Sequence, residues 1–324
     1  MEHGVSNLPS KFLERIEQLV PPNRKKEVLS AFCAQRPLSI RTNTLKISAD
    51  QLERILVELG LSFKRVLWNK EAFLLLNDSQ KSLEILMKTD FYKNGYFYIQ
   101  SLSSMIPPLI LAPQPNEKIL DIAAAPGSKT TQIAALMQNT GEIIANDISK
   151  SRIYKLKANL KHQQVTNTKV ICMPGQILWQ KYPEYFDRSL VDAPCSLEGR
   201  INCYDPKTYK DWSIKRIKIL SQRERFLLRS AVSATKVGGI IVYSTCTLAP
   251  EENEEVIDWL LQKEKDNLDL EPIDLSGLKT DPAILHWGKH VYNSKIKNAI
   301  RILPSATMEG FFIAKIRKLR SNFG

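Results

Sequence analysis

From Glu117 onward the chain alternates short, almost wholly apolar runs with longer helical patterns, and no other feature restricts its fold as much. "EKILDIAAA", "GEIIAND", "TKVICM", "RSLVDAP" and "GGIIVYSTC" read as successive strands. "SKTTQIAALMQ", "SKSRIYKLKANLKH" and "SIKRIKILSQRERFLLRSAVSA" read as helices between them, with "ENEEVIDWLLQ" a helix after the last. Strands apolar on both faces have to be covered on both faces. The expected class is therefore α/β, a doubly wound and mostly parallel sheet. "AIRILP" and "FFIAKIRK" close it as an antiparallel strand pair.

The pattern differs before residue 100. Residues 1–35 read as a helical lead-in, with Phe12, Leu13, Ile16, Leu19 and Val20 at helical spacing before the Pro21-Pro22 break. Residues 36–100 give a βαββαβ order. "LSIRTNTL" is a strand, "SADQLERILVELG" a helix capped by Ser48 and stopped at Gly60, "SFKRVLW" and "AFLLLN" strands, "SQKSLEILMK" a helix, and "GYFYIQ" a strand. That order is the ferredoxin-like, RRM-like α+β unit, common among RNA-binding domains. "IPPLILAPQP" reads as a connection, so residues 101–324 form the second domain, whose stretch from about Lys263 to Ile284 is the least patterned.

Composition narrows the function class. Lys and Arg exceed Asp and Glu by 46 to 34, a formal charge of +12, which favours phosphate-rich partners. Residues 1–20 hold no apolar run of the signal-peptide kind, and no stretch is long and apolar enough to span a membrane. The five cysteines (Cys33, Cys172, Cys195, Cys203 and Cys246) are odd in number and scattered, a poor disulfide framework without zinc-site spacing. A reducing cytoplasm is the expected setting, with no metal. Cys33 and Cys172 read as small buried hydrophobes.

Ligands of open α/β sheets bind beyond the carboxyl ends of the strands, where "DIAAAPGSKT" follows the first apolar strand. Ala123, Ala124, Ala125, Pro126, Gly127 and Ser128 allow close backbone approach, and the helix start offers free N–H groups. A dinucleotide loop requires GxGxxG, and only Gly127 is present; a phosphate loop requires GxxxxGK[ST], and Ser128 separates Gly127 from Lys129. S-adenosylmethionine has no phosphate and needs close approach more than a phosphate nest. Asp147, 20 positions after Gly127 at the end of the second strand, stands where an acid can take ribose hydroxyls.

Two further strands end in cysteine motifs, "DAPCS" (Asp192 to Ser196) and "STCT" (Ser244 to Thr247). A free cysteine is usually a buried hydrophobe, but Cys195 and Cys246 both open onto the presumed ligand crevice, where reactive thiols occur. Carbon 5 of cytosine is too electron-poor to take a methyl group unaided. A thiolate added at carbon 6 makes it nucleophilic, and a nearby cation would favour that thiolate. Asp192 is placed to hold the cytosine amine and ring nitrogen, and Lys129 to neutralise charge near the ring.

These motifs together resemble the Nol/Nop/Sun family of RNA cytosine-5 methyltransferases, from about Arg36 to the C-terminus. The resemblance is carried by "RPLSIRTNTLK", "GYFYIQSLSSMIPPLIL", "LDIAAAPGSKTTQ", "DAPCS", "STCT", "APEENEEVI" and "RILPSATMEGFFIAKIRK". It implies a Rossmann-like core behind an RNA-recognition-like domain. It also implies Cys246 as nucleophile, Cys195 assisting product release, and Lys129 and Asp192 on the target base. Ala123 through Lys129, Asp147 and Asp192 are then the S-adenosyl-L-methionine contacts. Two positions depart from the family pattern. "CMPGQ" puts Pro174 and Gly175 where an acid normally holds adenine, leaving backbone or Gln176, and Leu197-Glu198 replaces the usual small residues after "PCS". The further RNA-binding domain of longer relatives is not expected after Lys318.

For RNA phosphates the candidates are Arg24, Lys25, Lys26, Arg200, Lys207, Lys210, Lys215, Arg216, Lys218, Lys315, Arg317 and Lys318, with Tyr204, Tyr209 and Trp212 to stack bases. The expectation is a monomeric RNA (rRNA or tRNA) cytosine-5 methyltransferase. Its rivals are a DNA cytosine methyltransferase and a catalytically silent RNA-binding or ribosome-assembly protein. A zinc deaminase is excluded by the absence of HxE and PCxxC.

Overall fold

The structure is a computed structural model that describes residues 2–323. The lead-in folds as helices α1 (Glu2–Val5), α2 (Ser10–Leu19) and α3 (Lys25–Ala31). Phe12 and Ile16, four apart on one face of α2, are buried with Val28 and Phe32. The cluster is completed by Ile201, Cys203, Leu248 and Leu303, so the lead-in packs on the loops of the larger domain.

The next segment has β1 (Ser39–Thr42), α4 (Ala49–Glu58), β2 (Phe63–Val66), β3 (Asn69–Leu75), α5 (Ser79–Lys88), α6 (Asp90–Lys93) and β4 (Phe97–Ile99). The antiparallel sheet order β2-β3-β1-β4 is that of the expected ferredoxin-like unit. Local chemistry places α4 as read. Ser48 and Gln51 form a reciprocal capping box, and Gly60 takes φ +66° just past the end.

"IPPLILAPQP" is a correction: it belongs largely to a helix, α7 (Leu102–Leu111), with Pro107 and Pro108 inside it. Pro108 leaves the Ser104 carbonyl without its usual donor, and Gln100 Nε2 supplies one at 3.0 Å. Burial of nearly the whole helix outweighs the local penalty.

The larger sheet follows with β5 (Lys118–Asp121), α8 (Ser128–Leu136), β6 (Glu142–Asn146), α9 (Lys150–His162), β7 (Thr168–Ile171), β8 (Phe186–Asp192), α10 (Ile214–Ala234), β9 (Thr235–Thr245) and α11 (Glu254–Glu264). Five strands are parallel in the order β7-β6-β5-β8-β9. The order reverses between β5 and β8, which opens a crevice at their carboxyl ends. Neighbours in β5 point to opposite layers, Ile119 to one apolar cluster and Leu120 to the other, as a doubly covered sheet requires.

The unpatterned stretch after Lys263 contains β10 (Leu268–Glu271) and β11 (Asp281–Pro282), followed by a small hairpin of β12 (His286–Trp287) and β13 (His290–Val291). The closing pair is β14 (Ile300–Ile302) and β15 (Phe311–Lys318). β15 pairs with β9 along one edge and with β14 and β10 along the other.

The cysteines need correction as well. Cys33 and Cys203 form a disulfide across 170 residues of sequence, brought together when the lead-in packs on the larger domain. Cys172 is exposed.

The two sheets meet at Arg41. Its guanidinium, from β1, donates to the Ser128 carbonyl at 2.9 Å, Thr131 Oγ1 at 3.0 Å, Gln132 Oε1 at 3.2 Å and Gln100 Oε1. The ring of Tyr98 stacks 5.5 Å from it. Burial with no carboxylate partner pulls Arg41 down to about 9, so it is still cationic at neutral pH. Arg41→Met should leave these acceptors unpaired and cost about 2–4 kcal/mol, because hydrogen bonds to charged groups are worth more than neutral ones. Urea unfolding is the check, and an unchanged midpoint would show that the guanidinium contributes nothing net.

Candidate active site

The crevice between β5 and β8 is a cavity of about 380 Å³. Its floor is the loop from Ile122 to Gly127. Gly127 adopts φ +109°, a backbone conformation that requires glycine. Hydrogen bonds hold the loop at Ala124, Ala125 and Pro126. Ala124 N donates to the Asn146 carbonyl at 2.7 Å, Ala125 N to Asp147 Oδ2 at 3.3 Å, and Asn159 Nδ2 to the Pro126 carbonyl at 2.8 Å. Arg152 binds the Ala125 carbonyl and pairs with Asp147 at 3.1 Å.

Ala123, Ala124, Ala125, Pro126, Ser128, Lys129 and Asp192 line the cavity; Gly127 and Asp147 lie behind that surface and hold the loop. Gln176 is elsewhere, in a separate depression with Trp179 and Phe226. Asp121, at the end of β5, is fully buried and accepts from Thr130 Oγ1 at 2.7 Å. Burial pushes its carboxyl up to about 7, against the effect of that hydrogen bond. A small-residue loop suits a ligand that has to approach the backbone closely.

Lys129, in the first turn of α8, crosses to β8. Its ammonium donates to Asp192 Oδ2 at 2.6 Å and Ser104 Oγ at 2.9 Å. The other Asp192 oxygen accepts from Ser244 Oγ at 2.9 Å. Asp192 and Ser244 are direct partners in the parallel β8–β9 register, so the segments that follow them run side by side. The sulfurs of Cys195 and Cys246 consequently stand 3.4 Å apart. The hydrogen bond to Cys246, then burial, pushes the Cys195 thiol well above its ordinary range. Cys195 therefore holds its proton more tightly than a free thiol does, with the Cys246 sulfur within hydrogen-bonding reach.

Other groups complete the wall. Tyr98, Gln100 and Ser104 reach the cavity from the N-terminal side, and Glu309 and Phe311 from the start of β15. Arg200, read as a phosphate contact, stands at the mouth, pairs with Glu309 at 3.2 Å, and has both sulfurs among the groups that favour its charge. Arg152, Glu309 and Phe311 had no signal of their own. They lie in a helix face and a strand approach, and only the fold turns them inward.

Several basic residues are committed elsewhere. Lys318 is fully buried, donating to the Val232 and Thr235 carbonyls and pairing with Glu184, because β15 alternation places it on the same face as Phe312, Ala314 and Ile316. Arg24 pairs with Glu27 and Asp281, and Lys315 and Arg317 both pair with Glu271. Trp212 donates to Glu198 at 2.8 Å and packs on Phe12, which removes it from base stacking. Lys207, Lys210, Lys215, Arg216, Lys218 and Tyr204 are exposed. Leu197 holds φ +65°, a left-handed conformation that costs any residue with a Cβ about 1–2 kcal/mol.

Known proteins are similar to this chain in sequence and in fold. Ribosomal RNA small subunit methyltransferase F of Pectobacterium carotovorum is 38% identical over 325 residues, covering 98% of this chain and 64% of the relative. The protein of the same name from Salmonella heidelberg is 38% identical over 329 residues, covering 99% and 65%. The chain thus spans a little under two thirds of the curated relatives it matches. Among solved structures, a methyltransferase homolog protein from Pyrococcus horikoshii superposes with a TM-score of 0.80 at 35% identity, covering 96% of this chain and 100% of that one. An NSun6 from Pyrococcus horikoshii, solved with SFG, gives 0.81 at 26% identity, covering 97% and 99%. Residues 8–102 match the N-terminal domain of 16S rRNA methyltransferase RsmF. With residues 108–317, which hold the loop, both thiols and β15, matching the 16S rRNA methyltransferase RsmB/F family, the chain belongs to that family.

Proposed function

We propose that this protein methylates carbon 5 of a cytosine in small-subunit ribosomal RNA, with S-adenosyl-L-methionine as cofactor and Cys246 as covalent nucleophile. The observation that carries the reading is the pair of sulfurs 3.4 Å apart beside the Lys129–Asp192 ion pair. The relatives' printed names supply the ribosomal substrate. Residues 36–100 are read as the RNA-recognition domain and 101–324 as the catalytic domain. We read the protein as a monomer. No helix among the described residues is long and apolar enough to cross a membrane, and we place the enzyme in the cytoplasm.

Ala123 to Lys129 and Asp192 would hold the cofactor, which supplies an electrophilic methyl group. Cys246 adds as thiolate to carbon 6 of the cytosine, and the ring electrons move to carbon 5. Asp192 binds the amine and ring nitrogen, and Lys129 steadies the negative charge that develops on the ring. Arg200 is the cation that stands beside both sulfurs. After carbon 5 has taken the methyl group, a base in the cavity takes its proton, and the electron pair released re-forms the ring double bond and expels the Cys246 thiolate from carbon 6. Cys195, 3.4 Å from the Cys246 sulfur, serves that release. Exposed Lys207, Lys210, Lys215, Arg216 and Lys218 are proposed phosphate contacts.

Transfer from labelled cofactor to total RNA, to assembled small subunits and to DNA tests the reading. Cys246→Ala should abolish transfer to RNA, and Cys195→Ala should accumulate a protein–RNA adduct stable to denaturation. The opposite pattern would reverse the two roles, and no transfer by the wild type to any RNA would leave an RNA-binding protein.

Asp192→Asn should lower kcat by about a hundredfold or more, as losing a preorganised electrostatic contact at the reacting group does. Fluorescence titration of cofactor affinity, run alongside single-turnover kinetics, separates that effect from a binding loss.

A further inference from the structure

Behind the two sulfurs the protein buries three carboxyls. Glu252, in the turn between β9 and α11, accepts from the Ser196 amide at 2.8 Å and from the Ser196 hydroxyl. Ser196 Oγ lies 2.8 Å from Thr247 Oγ1, which donates to Glu198 Oε2 at 3.3 Å. Glu224, from α10, is fully buried, without a well-formed hydrogen bond to either oxygen, and faces Glu252 and the Tyr243 hydroxyl of β9. Ser196 and Thr247 are the residues immediately after the two cysteines.

Among the described residues no lysine or arginine donates to any of the three. Arg15, from α2, faces the group but is held bidentate by Glu251, and Arg200 is paired with Glu309. Buried carboxyls without a cation favour their neutral form. Burial, outweighing the Ser196 hydrogen bonds, pushes Glu252 up to about 7, and burial with the Glu252 charge pushes Glu224 well above the carboxylate range. Cys195 is in turn pushed up partly by Glu252 and Glu224.

We propose that Glu252 is a positioning residue for the methyl transfer: through Ser196 it clamps the Cys195 and Cys246 segments together, and its protonation, shared with Glu224, governs how readily charge forms on the sulfurs. This rests on the reading of the two thiols given above. Below neutral pH Glu252 is uncharged and leaves thiolate formation unopposed. Above it, a carboxylate behind the sulfurs disfavours a second negative charge. Glutamine at this position accepts from the Ser196 amide and carries no charge, so it keeps the clamp and removes the opposition. Alanine removes both.

The test is the pH profile of iodoacetamide alkylation of Cys195 and Cys246 in the full chain, read by peptide mass spectrometry, with methyl transfer measured beside it. Glu252→Gln should move the alkylation midpoints down by about half a unit or more, the size of a modest charge effect. Glu252→Ala should lower kcat at least about tenfold with little change in KM for RNA, as a displaced reacting group does, and Glu252→Gln should recover most of that loss. Ser196→Ala, which retains the amide contact, gives a milder version should Glu252→Ala fail to fold. Identical alkylation profiles for Glu252→Gln and wild type, or wild-type kcat in Glu252→Ala, would overturn the proposal. A wild type that transfers no methyl group would sink the enzymatic reading alone, because alkylation still reports on Glu252.

Discussion

The parallel pairing of β8 with β9, with Asp192 opposite Ser244, is the constraint on which the site depends. Parallel strands deliver their exits to the same edge of the sheet, and equal register delivers them to the same height. Each chain then needs only two or three more residues to bring a sulfur into place, and the sulfurs meet 3.4 Å apart although 51 residues separate them in sequence. Apolar side chains on both faces enforce the pairing. A slip by one residue would exchange the two buried layers and place Asp192 in one of them.

A second constraint is the buried charge of Arg41. Guanidinium groups are rarely buried without a carboxylate, and this one is held by neutral acceptors, three of them from residues at or near the start of α8. The same turn carries Lys129. The N-terminal sheet is thereby part of the machinery that orients the ammonium facing Asp192, while its Tyr98 and Gln100 line the cavity. An N-terminal sheet fused in this way is held at a fixed distance from the two thiols.

Much of this was legible in the sequence because it follows from local periodicity. The capping box at Ser48, the one-glycine loop and the apolar strands each leave a pattern within a few residues. What escaped depends on tertiary burial. Pro107 and Pro108 read as a break, yet α7 tolerates them because Gln100 replaces a lost donor and the core covers the rest. The Cys33–Cys203 disulfide has no spacing signature, being made by the packing of Phe12 and Phe32 against Ile201. Lys318 and Trp212 carry the chemistry of a nucleic-acid surface but are captured by core carbonyls and by Glu198. Composition counts such residues as available, and only the strand's alternation and the helix's docking show that they are not.

β15 uses both of its edges, one for β9 and the other for β14 and β10. The residues that lead into it, Glu309 and Phe311, also form a wall of the cavity. Order of synthesis and order of assembly are therefore out of step. A growing chain carries the cofactor loop and both thiols well before the strand that closes the sheet beside them has been made. In that interval the free edge of β9 is an unpaired row of backbone donors and acceptors next to the two thiols, the stretch of this protein most in need of a temporary cover.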